Sequence, residues 1–211
     1  MSRVLLLRCL LILALIAVLE ALCRAGVIDR FTMPPPSRIC EDLVRLLVAG
    51  KLYGAIAKTL TNSAIAFALA VAVGLAAGVL IHKFRLLREA LDPLFATYYA
   101  IPVFAFYPML IVLFGLGDLP QIVIAFMMSV IAMIVNTLNG IDRVPNVLLK
   151  TARMARMSPL ATALRMTLPY AAPHLITGMK LALAYALIGI IGSEFIMSLS
   201  LIHISEPTRP Y

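Results

Sequence analysis

Long apolar runs separated by short charged segments set the pattern of this chain. Five runs approach the ~20 residues that a membrane span needs: Val4 to Leu22, Leu60 to Ile81, Leu94 to Phe114, Ile122 to Leu138 and Leu175 to Met197. Each predicts a spanning helix. Arg3 precedes the first run and Arg8 sits one turn inside, near enough to snorkel to the interface. A cleavage site of the small-x-small kind is weak around Ala21–Ala25, and further spans follow, so an uncleaved first helix is expected. The second run is crowded with Ala and Gly, including Gly74 and Gly78 four residues apart, a spacing that lets helices approach closely in lipid. The third run carries Pro102 and Pro108, with Pro93 at its entrance. Internal prolines free carbonyls and bend a helix, which predicts either a bent, pathway-side span or a simply kinked one.

The segments between the runs are polar. Pro34-Pro35-Pro36 cannot continue a helix. Beyond it Ile39, Leu43, Leu46, Leu47 and Leu52 recur near helical spacing among Glu41, Asp42, Arg45 and Lys51. That pattern fits an amphipathic helix on the membrane surface or a solvated connector. His82, Lys83, Arg85 and Arg88 predict a short loop, and Gly115 to Pro120 a tight turn. Asn136 and Asn139 end the fourth run; Lys180 lies near the start of the fifth and Glu194 near its end. An acid within a span is costly and faces a bundle interior or a water-filled cavity. Glu194 is therefore expected to pair with another helix or lie near the outer boundary.

Composition agrees with the pattern. Of 211 residues 63% are hydrophobic and 13% charged, with mean hydropathy +1.02. These values exclude a disordered chain, a disulfide-rich secreted module and an ordinary soluble enzyme. The expected class is all-α, a polytopic helix bundle. Net charge is +8, but the basic residues lie mainly between apolar runs, where they orient helices rather than bind nucleic acid. With the N-terminus inside, Arg3, Arg8, Lys83, Arg85, Arg88, Arg143, Lys150, Arg153, Arg156, Arg165 and Lys180 fall on the cytoplasmic side. Arg24, Arg30, Arg38, Arg45, Lys51 and Lys58 fall outside. The larger inside group predicts a cytoplasmic N-terminus. Cys9, Cys23 and Cys40 lack metal-ligand spacing and read as free thiols. No HExxH, G-x-S-x-G, P-loop or paired-Cys motif is present, so no catalytic residue, cofactor or metal is expected.

The most informative stretch is Asn136 to Glu194. Between two spans it places Lys150, Thr151, Ala152, Arg153, Met154, Ala155, Arg156, Met157 and Ser158, then Met166, Leu168 and Pro169. A short helix flanked by breaks suits an element that docks onto a soluble partner, but on the residues alone an ordinary amphipathic loop is the favoured reading. This stretch resembles the EAA loop of binding-protein-dependent ABC transporter permeases, whose pattern reads E-A-A-x-x-x-G, nine residues, then I-x-L-P. Lys150 stands at the Glu position, Thr151 and Ala152 at the Ala positions, and Arg156 at the Gly position. Met166, Leu168 and Pro169 fall on I-x-L-P. Asn136-Thr137 with Gly140 resembles the family's N-T-x-x-G, and Leu175 to Gly178 with Leu181 and Ala182 its next helix. Ile101-Pro102, Pro108 and Phe114 to Gly117 resemble its pathway-side span. The likeness covers about Leu60 to Met197 and is strongest to nitrate, sulfonate and taurine permeases. Lys150 and Arg156 depart from the pattern: one reverses a charge, and the other costs ~1–2 kcal/mol if the glycine position needs positive φ.

The resemblance implies an importer subunit in a bacterial inner membrane, carrying a small anion through a pathway lined by two permease copies. A separate cytoplasmic ATPase would take a short helix, about Thr151 to Ser158, in a groove. An extracytoplasmic binding protein would deliver the solute. The rival class is a passive channel or secondary transporter without such docking. Tyr98, Tyr99, Pro102, Phe106, Pro108, Asn136 and Glu194 are the candidate pathway residues. The expected organisation is a first spanning helix over 1–22, an extracytoplasmic loop over 23–59 and the permease core over 60–198, with its coupling loop at 140–170. The last stretch, Leu199 to Tyr211, resembles translated sequencing-adapter sequence, with Pro207 and Pro210 stopping any helix. It is expected to be artefactual, standing where a sixth span of the family would follow.

Overall fold

The computed structural model describes residues 3–28 and 33–205, with side chains for 4–28 and 33–197. The described residues are helical and contain no strand. Four helices are long and apolar enough to cross a membrane: Val4–Arg24, Tyr53–Lys83, Asp118–Asp142 and Pro159–Met197. The pair Arg85–Ala100 and Val103–Phe114 makes a fifth if counted as one bent span. The chain divides into two compact units, Met1–Ala57 and Lys58–Tyr211.

The first unit holds α1 (Arg3–Arg24) and α2 (Pro36–Val48). Pro36 occupies the first turn of α2, where its missing N–H costs nothing. The predicted amphipathic segment is thus a helix. Glu20 joins the two helices of this unit: it accepts from the Ser37 backbone N–H at 3.0 Å and from the Ser37 hydroxyl at 2.7 Å. Arg24 donates to the same carboxylate at 2.6 Å. The three cysteines are free thiols.

In the second unit α3 (Tyr53–Lys83) and α9 (Leu168–Ser205) pack around α6 (Asp118–Asp142). Small residues set the spacing. A Cβ on Gly74 would lie 2.6 Å from Met133 Cβ, and one on Gly189 would lie 2.6 Å from the Ala125 Cα. The Gly74/Gly78 pair therefore has a specific partner, the Met133–Thr137 face of α6. Ala66, Ala125, Ala186 and Ile190 close the seam where the three helices meet. In lipid such close packing replaces the hydrophobic drive between helices.

Three expectations need correction. The basic segment after α3 is not a loop: the helix breaks only at Phe84, and α4 (Arg85–Thr97) begins at once. Its cations face acids one turn on, with Arg85 to Glu89 at 2.7 Å and Arg88 to Asp92 at 3.7 Å, which favours helix. The third run is not one continuous helix. α4 and α5 (Tyr107–Phe114) are separated by two 3₁₀ turns and bend by 86°. Pro102 (φ −72, ψ 86) is non-helical, Pro108 opens α5, and Pro93 lies inside α4. The glycine turn is also shorter than expected, because α6 starts at Asp118. At the far end α9 continues to Ser205; residues 206–211, with Pro207 and Pro210, lie outside the described residues.

Candidate functional site

The connection between α6 and α9 projects a short basic helix. Asp142 ends α6, and Val144 is buried beneath the turn that follows. Pro145 (φ −61, ψ 134) cannot extend α6 and sets the start of α7 (Asn146–Met154). The helix in this segment thus lies about five residues earlier than the predicted Thr151 to Ser158. Only its last four residues overlap that prediction; Ala155 to Ser158 form the turn behind it. Ala152 is the one buried residue of α7, at 1% exposure, and ties the helix down. Lys150, Thr151, Arg153 and Met154 face outward, Met154 with 87% of its surface exposed.

Hydrogen bonds at the end of α7 explain the family's glycine. Met157 N–H donates to the Ala152 carbonyl at 3.0 Å, and Arg156 N–H to the Arg153 carbonyl at 3.0 Å. This crossed pair is a Schellman ending, which requires a left-handed residue at its first non-helical position. That residue is Arg156, with φ +50, alone among described non-glycine residues in having positive φ. Arg156 thus occupies a backbone position suited to glycine. Ser158 then caps α8 (Pro159–Thr162), its hydroxyl accepting from Ala161 N–H at 3.2 Å. A π turn, Ala163–Thr167, feeds α9. Pro169 offers no N–H to the preceding turn and crowds its carbonyls, and the wider turn accommodates it. Met166 is half-buried in that turn, while Leu168 and Pro169 are exposed at the start of α9.

The segment's charge is one-sided. From Arg143 to Ser193 there are six cations and no acid. Among the described residues none of Arg143, Lys150, Arg153, Arg156 and Arg165 forms an ion pair. The root of the segment is held from the side. Arg88 on α4 grips the Asp142 carboxylate through both terminal nitrogens, and His82 Nδ1 on α3 lies 3.2 Å from it. One carboxylate thus joins three helices where α7 departs. Sequence reading missed this clasp because its members are far apart in the chain.

The candidate pathway residues divide into two groups. Tyr99 is exposed and stacks on Tyr185, ring centroids 5.6 Å apart; Pro102, Phe106 and Pro108 are also exposed. Tyr98, Tyr99 and Pro102 line a cavity of about 210 Å3 at the helix break. Tyr98 donates from its hydroxyl to the Met127 carbonyl at 2.8 Å. Asn136 donates to the Ala132 carbonyl at 2.8 Å and packs against Gly178. Glu194 accepts from Thr59 on α3 at 2.8 and 3.0 Å, the interhelical pairing expected for an acid in a span. Near it Lys58 pairs with Asp118 at 2.7 Å, and buried Asn62 meets buried Gln121 at 3.5 Å. This polar layer was also missed, although Asn62 inside one apolar run and Gln121 at the edge of another were its visible signal.

Comparison with known proteins gives the family. The profile of the binding-protein-dependent transport system inner membrane component matches residues 70–205. The chain is 31% identical over 140 residues to the bicarbonate transport system permease protein CmpB of Synechococcus elongatus, covering 66% of this chain and 50% of that protein. It is 28% identical over 198 residues to CmpB of a Synechocystis species, covering 89% and 70%. With the nitrate import permease protein NrtB of Leptolyngbya laminosa it shares 29% identity over 145 residues, covering 69% and 52%. The chain spans half the length of the first of these relatives. The matched region contains α6, the basic α7, the Schellman turn and α9, and the chain belongs to the family of binding-protein-dependent transport system inner membrane components.

Proposed function

We propose that this chain is the membrane subunit of an ABC importer, and that α7 is the element through which a separate ATPase moves it. The observation that carries this reading is an outward-facing basic helix, anchored by one buried alanine and bounded by a proline and a Schellman turn. Such a helix is rigid at both ends. A rigid element transmits displacement because packed helices switch between arrangements rather than deform continuously. Closure of an ATPase dimer would draw two such helices together and turn the pathway outward. The chain itself performs no hydrolysis, and its N-terminus lies in the cytoplasm.

The transported solute is a small anion. Relatives named for bicarbonate and nitrate support this class, and an alkanesulfonate falls within it, as does the sulfonate group of zwitterionic taurine. A second copy of the chain completes the pathway, and an extracytoplasmic binding protein supplies the solute. The break at Pro102, with Tyr98 and Tyr99 on its cavity, is the pathway segment, because irregular backbone in a membrane is tolerated where it lines a cavity or is covered by protein. Lys150 gives the partner's chemistry. A cation stands where the family has an acid, and its neighbours are also unpaired cations, so the groove that receives α7 is acid-lined.

Co-purification with the cognate ATPase tests this reading. Arg153→Glu with Lys150→Glu should abolish the association while leaving membrane insertion intact. Undiminished association of the doubly reversed variant would refute docking through α7.

A further inference from the structure

An apolar groove lies directly behind the coupling segment. Leu75 and Val79 of α3, Ile141 of α6, and Leu168 and Leu175 of α9 wall a space of about 350 Å3. Its outer walls face away from the bundle: Val79 is 52% exposed and Leu168 42%. Thr137 adds no free hydroxyl, since its Oγ1 donates to the Met133 carbonyl at 2.7 Å. The groove therefore offers hydrocarbon-like walls to whatever fills it.

Its rim is charged. Lys83 and His82 stand at the end of α3 where the groove reaches the helix ends. His82 is committed to Asp142, and Asp142 is neutralised by Arg88. Lys83 has no ion-pair partner among the described residues; its ammonium lies 5.9 Å from the Phe84 ring centroid. The result is an apolar slot, at the end of membrane-spanning helices, topped by one uncompensated cation. Chain-like apolar walls with a cation at the polar boundary match one ligand class, an anionic phospholipid.

We propose that this groove binds an anionic phospholipid, one acyl chain lying between α3 and α9 and the phosphate meeting Lys83. The π turn lines the same groove through Ala163 and Thr167, so the bound lipid braces the joint between the coupling segment and α9. This inference needs the apolar helices to lie in a bilayer. It does not need the ATPase.

The chain contains no tryptophan, so a single introduced one reports its own surroundings. Val79→Trp places the probe in the groove, and Leu168→Trp places a second on the opposite wall. Val112→Trp, on α5 and 85% exposed, is the control. Each variant of the chain is reconstituted in vesicles mixing phosphatidylglycerol and phosphatidylcholine, with bromine on the acyl chains of one or the other. Quenching at the two groove probes should show about a fivefold preference for phosphatidylglycerol, the effect of one cation at the surface. The control should show none, and Lys83→Gln should remove the preference. Equal quenching by both lipids at either groove probe, or a preference that survives Lys83→Gln, would overturn the proposal.

Discussion

Arg156 pays a conformational penalty that its neighbours impose. The Schellman hydrogen bonds of Ala152 and Arg153 hold it at φ +50, where an L-residue other than glycine loses ~1–2 kcal/mol. Arg156→Gly should therefore slow hydrogen exchange at the 156 and 157 backbone amides by roughly fivefold, matching a gain of about 1 kcal/mol. An unchanged exchange rate would show that the turn is not strained. The Asp142 carboxylate is the second decisive group at this scale. Its partner Arg88 is a quarter exposed, so the pair is screened in part and contributes about 1 kcal/mol in a double-mutant cycle. Asp142→Asn should lower transport-coupled ATP hydrolysis more than it lowers thermal stability, because the clasp positions α7 rather than building the bundle. Equal losses in both would assign it a purely structural part.

Between helices, the close contacts differ in how far they can yield. A Cβ at Gly189 meets the Ala125 backbone at 2.6 Å, whereas one at Gly192 meets the end of the Phe104 ring at 2.5 Å. Backbone cannot move aside and a ring can. Gly189→Ala should destabilise by about 2–3 kcal/mol and Gly192→Ala by less than about 1 kcal/mol, read as the shift in thermal unfolding in detergent. The reverse order would mean that α6 and α9 do not pack as described. The four uninterrupted spans were legible because twenty apolar residues admit few other structures. The small-residue stripe on α3 was legible as a packing face, but its partner was not, since any helix could fill it. The break at Pro102 was half legible: two prolines announce a bend, while its 86° size depends on where each helix finds packing. The start of α4 was misread because its cations drew attention away from Glu89 and Asp92. The position of α7 was missed by a few residues for a similar reason: the family pattern begins at Lys150, but Pro145 sets the helix start.

Across the second unit, the two polar ties close opposite ends of one bundle. Thr59 with Glu194 and Lys58 with Asp118 hold one end of α3; His82, through Asp142 and Arg88, holds the other. The segment bearing α7 leaves the bundle beside the second tie, and its cations form no ion pair among the described residues. An intramembrane acid and a basic loop were both visible in the sequence, but the helices they join were not. The account stands on α7 lying on the cytoplasmic side, within reach of an ATPase. Arg153→Cys, in a chain with Cys9, Cys23 and Cys40 changed to Ser, measures this directly with a membrane-impermeant maleimide. Labelling is predicted in inverted membrane vesicles and not in intact cells; labelling in intact cells would contradict the account.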